Sequence, residues 1–211
     1  MKKKIIVGIL IVAVLALVFW WGGNAPGLRG WDVAEETTAD TAVTDRYKTD
    51  PIPEGRPLPI EPQDAVISDT QLTCTLSVRC DTILENMDWL DPAKAELVPE
   101  DGVIYAERTV TFYEGESVFN LFVREMKQNK IHMEFVNTPI YNSAYIEGIN
   151  NLYEFDCGER SGWMYKVNDW FPNYGCSRYQ LKEGDRVEWV YTCNLGEDVG
   201  GGISVEGQKD E

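Results

Sequence analysis

Thr109-Val110-Thr111-Phe112-Tyr113-Glu114-Gly115-Glu116-Ser117-Val118-Phe119-Asn120-Leu121-Phe122-Val123-Arg124-Glu125-Met126 changes its hydrophobic period half-way along. From Thr109 to Tyr113, apolar Val110 and Phe112 alternate with threonine, the pattern of a strand. Glu114-Gly115-Glu116 makes a tight connection, and Ser117 is a good N-cap. Val118, Leu121, Phe122 and Met126 then fall at i, i+3, i+4 and i+8, which predicts a helix to about Asn129.

Upstream of this unit, Thr73 to Arg79 alternates, with Cys74, Leu76, Val78 and Cys80 on one face: a half-buried strand. Ile83, Met87 and Leu90 stand at helical spacing, and Asp91-Pro92 opens a second short helix with Asp as N-cap. Pro99 to Gly102 is a turn. Downstream, Ile131, Met133 and Phe135 alternate again, and Tyr145–Ile149 and Leu152–Phe155 are strand-like around Asn150-Asn151. Trp163–Val167 is a further strand, ended by a hairpin turn at Asn168-Asp169. After the turn Lys182–Asp185, Arg186–Thr192 closes the domain with Val187, Trp189 and Tyr191 on one face. Strand, strand, helix and then several strands predict an α+β fold: a mixed sheet with one main helix on its face.

The N-terminus sets an expected address. Three lysines precede an uncharged apolar run from Ile5 to Trp21, about 26 Å as a helix and the short end of a bilayer core. Lysines before the run and Phe19-Trp20-Trp21 after it read as a single-pass anchor with a cytoplasmic N-terminus. Cleavage after Ala25 would leave Pro26 following the cut, a poor context, so an uncleaved anchor over residues 1–23 is favoured. The rest of the chain is then expected outside the cytoplasm, at the cell surface.

Residues 24–70 read as a disordered stalk. They hold ten acidic residues against four basic, and Pro51, Pro53, Pro57, Pro59 and Pro62 fall close together. Such composition favours extended polyproline II and carries no apolar periodicity. Residues 71–195 make the domain, and 196–211 read as a flexible acidic tail.

Composition removes several function classes. The formal charge is −16, the wrong sign for a nucleic-acid binder or for adsorption on anionic headgroups. A single histidine, His132, leaves no multi-histidine metal site and no Cys–His pair with a local orienting group. Phosphate loops, EF-hand spacing and Cys-x-x-Cys are all absent. The reading is therefore non-enzymatic, with no required cofactor and no metal.

Three stretches, in order, resemble one known family: Glu114–Val118 opening the helix, Ser161–Asn168, and Tyr179–Tyr191. Together they are similar to the transcobalamin C-terminal-domain-like family, small β-grasp modules within a wider soluble-ligand-binding group. Many relatives are exported proteins of Gram-positive bacteria. The resemblance covers roughly 72–193 and departs from the family at Asp169, where glycine is usual, and in the inserted segment 82–102. It implies non-covalent binding of a soluble ligand, cobalamin or another planar or carbohydrate-like molecule. In the cobalamin carriers a helical barrel grips the other face of the corrin, and no such barrel exists here. Trp163 and Tyr165 match the ligand-facing strand; Tyr141 and Tyr145 border the 135–145 loop as a candidate rim, and Trp170 completes the candidate set. Trp163, Trp189 and Tyr191 also suit a small aromatic core. The alternative function is a surface interaction or adhesion module that uses an exposed sheet edge.

Five cysteines outside the anchor leave one thiol over if disulfides form. The family topology puts the first and last strands side by side, so Cys80 and Cys193 are one candidate pair. Cys157 and Cys176 flank the Asn168 turn as the other, leaving Cys74. Closing the second loop would contribute about 3 kcal/mol.

Overall fold

The computed structural model describes Tyr47 and residues 51–202. The expected anchor, the first part of the stalk and the end of the tail lie outside the described residues. Among the described residues no helix is long and apolar enough to cross a membrane.

Four of the strands expected from sequence form one mixed sheet. β1 (Gln71–Arg79) pairs antiparallel with β2 (Val103–Tyr113) and parallel with β7 (Arg186–Thr192), and β7 pairs antiparallel with β6 (Gly162–Val167). The strand order is β2-β1-β7-β6, so the first and last strands are central and parallel. The main helix, α1 (Val118–Gln128), begins at Ser117, whose side chain accepts from the Asn120 N–H while the Asn120 side chain accepts from the Ser117 N–H. This capping box satisfies two backbone donors at the helix start. α1 buries Val118, Leu121, Phe122 and Met126, the i, i+3, i+4, i+8 stripe. Phe122 stacks on Trp189 at 4.6 Å between ring centroids, which fixes the helix on the centre of the sheet.

A second, three-stranded sheet has the order β3-β4-β5: β3 (Met133–Thr138), β4 (Ser143–Ile149) and β5 (Leu152–Tyr153). Asn150 and Asn151 both have positive φ, 53° and 60°, the two-residue turn that suits right-twisted strands. Asn168 and Asp169 repeat it at 51° and 63°, and Val167 and Trp170 exchange backbone hydrogen bonds across it. Asp169 thus performs in the left-handed region the role expected of glycine.

Three expectations are corrected. Ile83–Leu90 is not an α-helix: a 3-10 helix spans Asp81–Glu85, and Met87 is exposed while Ile83 and Leu90 are buried. Asn86 ends it by bonding back, its N–H to Ile83 O and its Nδ2 to Thr82 O, the local competition that asparagine offers a helix. The second 3-10 helix, Pro92–Leu97, starts as expected, with Asp91 accepting from Ala93 N–H.

The larger correction concerns the stalk, expected as disordered through residue 70. Residues 51–70 lie along the domain as a strap. Ile60 N–H donates to Arg178 O at 2.9 Å, Tyr174 Oη to Pro57 O at 2.8 Å, and Ser68 N–H to Glu114 O at 2.9 Å. Gly115 is required where the strap crosses: at φ +90°, a Cβ there would stand 2.1 Å from Val66 O. The start of the expected tail is also folded. Asp198 accepts from Cys193 N–H at 2.7 Å and from the Thr192 hydroxyl, and a 3-10 turn spans Glu197–Val199.

Candidate functional site

Cross-strand partners share a face of the sheet. Trp163 and Tyr165 on β6 oppose Tyr191 and Trp189 on β7, so all four stand on the face that carries α1. The helix covers the centre of that face, and β4 packs near β6 at its side. A depression of about 190 Å³ remains there, lined by Tyr145, Trp163, Tyr165, Phe171 and Trp189 among others. It contains no charged side chain.

Two further depressions continue around the β3–β4 hairpin and share residues with the first and with each other, Ala144 being common to all three. One, about 390 Å³, is lined by Tyr141, Tyr145, Tyr174 and Arg178. The largest, about 450 Å³, lies between the strap (Pro62, Ala65, Ile67), the start of α1 (Ser117, Phe119, Asn120) and the hairpin (Asn137, Asn142). Its lining holds amides, hydroxyls and apolar groups and no charge. Side-chain amides of Asn137 and Gln180 border it and make no hydrogen bond among the described residues. Gly175 lets its loop pack directly on β4 at the second depression, since a Cβ there would stand 1.8 Å from Ser143 Oγ.

The five aromatics named from sequence separate into roles. Trp163 is 7% exposed, and its indole N–H donates to Leu152 O at 2.8 Å. Tyr165 is 9% exposed, and its hydroxyl donates to Tyr174 O at 2.7 Å. Both are core residues with one edge on the smallest depression. Tyr145 and Tyr141 are 42% and 51% exposed and form the open wall. The Tyr145 hydroxyl donates to Glu154; burial first, and then that carboxylate, push its phenol above the usual range. Burial likewise raises Tyr174, and raises Tyr179 to about 12, so these rings are neutral hydrogen-bonding groups at ordinary pH. Trp170 is half-buried against Tyr174 and Tyr179, beneath Arg56 of the strap, and is not among the residues lining the three depressions. The strap and Asn120, Asn137 and Gln180 were not expected at the site. No sequence signal pointed to them, because their place follows from how the strap and hairpin dock.

A family model matches residues 115–193. It is described as a domain of unknown function, DUF4430, and spans α1 through β7, less than half of the chain. A search of curated proteins found no match. Among solved structures, haptocorrin in complex with Cbi is similar at 15% identity and a TM-score of 0.44, over 61% of this chain and 26% of that one. A candidate metal-binding protein from Ruminococcus gnavus is similar at 12% identity and a TM-score of 0.35, over 57% of this chain and 96% of that one. The chain thus spans about a quarter of the haptocorrin length. Both likenesses are too distant to carry a function across.

The sulfurs are arranged differently from the two expected disulfides. All five cysteines are buried free thiols. Neither Cys80–Cys193 nor Cys157–Cys176 is joined; Cys193 Sγ instead lies 3.4 Å from Cys157 Sγ. Cys176 faces Ala144 O at 3.7 Å. The bend Asp81–Glu85 carries the chain away from Cys80 across the end of β7, and the loop 156–161 brings Cys157 there instead. Among the described residues no group of three or more His, Cys, Asp and Glu is gathered as for a metal.

Proposed function

We propose that residues 51–202 form a non-enzymatic module that binds a soluble, uncharged ligand in the groove around the β3–β4 hairpin. One observation carries the reading. In a chain of charge −16, the three joined depressions are lined by amides, hydroxyls and aromatic rings, and Arg178 is the one charged residue among them. Such a lining suits a molecule with an apolar face and a neutral hydrogen-bonding rim. Cobalamin, with its ring and carboxamides, has that chemistry, as does a carbohydrate. The resemblance of Ser161–Asn168 and Tyr179–Tyr191 to transcobalamin-type modules supports the same class. The apolar run Ile5–Trp21 supports presentation outside the cytoplasm from a single membrane anchor.

The test is a titration of the full-length chain in mild detergent against cobalamin, cobinamide and neutral oligosaccharides, by tryptophan fluorescence and calorimetry. Saturable binding weakened by Tyr145→Ala supports the reading. No binding to any of them at millimolar ligand sinks this ligand class. A second reading has one feature in its favour: β2 is an outer strand whose residues Ala106–Thr109 are exposed, an edge open to a partner strand.

A further inference from the structure

Cys157 and Cys193 come from opposite ends of a long excursion. Cys157 lies in the loop after β5 and Cys193 directly follows β7, and between them run β6, the Asn168 turn and the loop to β7. Their sulfurs are nevertheless 3.4 Å apart, with the Cys193 thiol donating to Cys157. A covalent bond of about 2.05 Å needs only about 1.3 Å of further closure, within reach of small side-chain rotations.

Both backbones are held in place independently of the sulfurs. Cys157 N–H donates to Ser161 Oγ at 3.1 Å, and Cys193 N–H donates to Asp198 Oδ2 at 2.7 Å. The 3-10 bend lies over the pair: the Cys157 thiol donates to Asn86 O at 3.5 Å, and the Cys193 thiol reaches Thr82 Oγ1 at 3.9 Å. Tyr191 closes the other side, its hydroxyl on Ser161 Oγ and Tyr153 O at 3.0 and 2.7 Å. Two sulfurs held so by separate anchors are preorganised for one bond.

We propose that Cys157 and Cys193 are a redox-convertible staple, free as thiols under reducing conditions and joined as a disulfide in an oxidising one. The oxidant is a small disulfide such as oxidised glutathione. Cys157 loses its proton and attacks one oxidant sulfur, forming a mixed disulfide and expelling one thiolate. Cys193 then gives up its proton and displaces the second thiolate. The two protein thiols lose two electrons, the oxidant disulfide gains them, and the two protons end on the released thiols. The hydrogen bond from Cys193 favours Cys157 as the first thiolate, while burial holds both thiols up and makes the exchange slow in the closed fold. The bond therefore forms during refolding, as the docking 156–161 loop brings the two sulfurs together.

The experiment refolds the full-length chain from denaturant in mild detergent, once with excess reduced glutathione and once in a reduced/oxidised glutathione mixture. Trypsin cuts after Arg79, Lys94, Arg160 and Arg186, among other sites, and places each cysteine on its own peptide, so connectivity is read directly by non-reducing mass spectrometry. The oxidised sample is expected to show a Cys157–Cys193 cross-linked peptide and three titratable thiols in denaturant, against five in the reduced sample. Its melting temperature should rise by roughly 10 °C, from the unfolded-chain entropy removed by a loop of this size. Cys157→Ser and Cys193→Ser should each lose both the cross-link and the shift. Five free thiols after oxidative refolding, or a cross-link from either residue to Cys74, Cys80 or Cys176, overturns the proposal, and the wild-type peptide map decides it even where a variant fails to fold.

Discussion

Arg178 Nη2 lies 2.7 Å from Glu61 Oε1, and the arginine side chain is 1% exposed. A strap residue therefore supplies the carboxylate for a guanidinium buried in the domain. Replacing that carboxylate by an amide removes a charge-assisted hydrogen bond and part of the charge compensation of a buried guanidinium. Glu61→Gln is expected to destabilise the fold by about 3 kcal/mol, read as a lower urea midpoint at unchanged slope. A change below about 0.5 kcal/mol would mean that the strap is held by its other hydrogen bonds and not by this ion pair.

Phe122 is fully buried and stacked on Trp189, so Phe122→Ala should cost about 3–5 kcal/mol. Near-zero loss would contradict the seating of α1 on the sheet.

Tyr145 and Trp163 border the same depression but respond to different questions. Tyr145→Ala removes an exposed wall; ligand affinity is expected to fall at least about tenfold with little change in melting temperature. Trp163→Ala removes a core ring and its bond to Leu152, so lost binding there would accompany lost stability of about 3–5 kcal/mol. Calorimetry and thermal melts on both variants separate the effects. Equal destabilisation by the two would place Tyr145 in the core as well.

The buried thiols predict an alkaline limb. Burial chiefly pushes Cys74, Cys80, Cys176 and Cys193 each up to about 12 from 9.0. A raised folded-state value means that the native state holds its proton more tightly than the unfolded chain. The associated stability is complete below pH 9 and is lost as pH rises from there toward 12. Melts of the reduced protein from pH 8 to 11 should fall steadily above pH 9. The oxidised protein should fall less steeply, because Cys193 no longer titrates.

Phe155 sits at φ 68° and is 61% exposed, an uncommon backbone state for a bulky residue. Its N–H bond to Ser161 O at 3.1 Å needs no side chain. Phe155→Gly should stabilise the fold by about 1 kcal/mol, measured by urea unfolding, through relief of left-handed strain. A loss of stability would show that the exposed ring packs against more than its accessibility implies.

The strands and α1 were legible because each buries one face and so carries period 2 or 3.6: Leu76 and Val78, Trp189 and Tyr191, Leu121 and Phe122. Turn chemistry was legible at Asn150-Asn151 and Asn168-Asp169 for the same local reason. The strap was not. Its grip runs through Pro57 O, Ile60 N–H and Ser68 N–H, backbone groups that any residue offers, and proline-rich composition is shared by free linkers and docked arms. The site was half legible. Tyr145, Trp163 and Tyr165 do meet, but the Asn137 and Gln180 amides and the strap wall arise from tertiary docking. The approach of Cys157 to Cys193 was not legible, because it follows from how the loop after β5 docks at the end of β7.

Composition alone would invite a truncation at Gln71, where alternation begins. Such a fragment keeps every strand and α1. It also discards the carboxylate facing Arg178, the carbonyl that receives Tyr174, and one wall of the largest depression. Failure of that fragment to fold or bind would report a misplaced cut rather than an absent activity. Recombinant fragments of this chain therefore need to start upstream of Pro51.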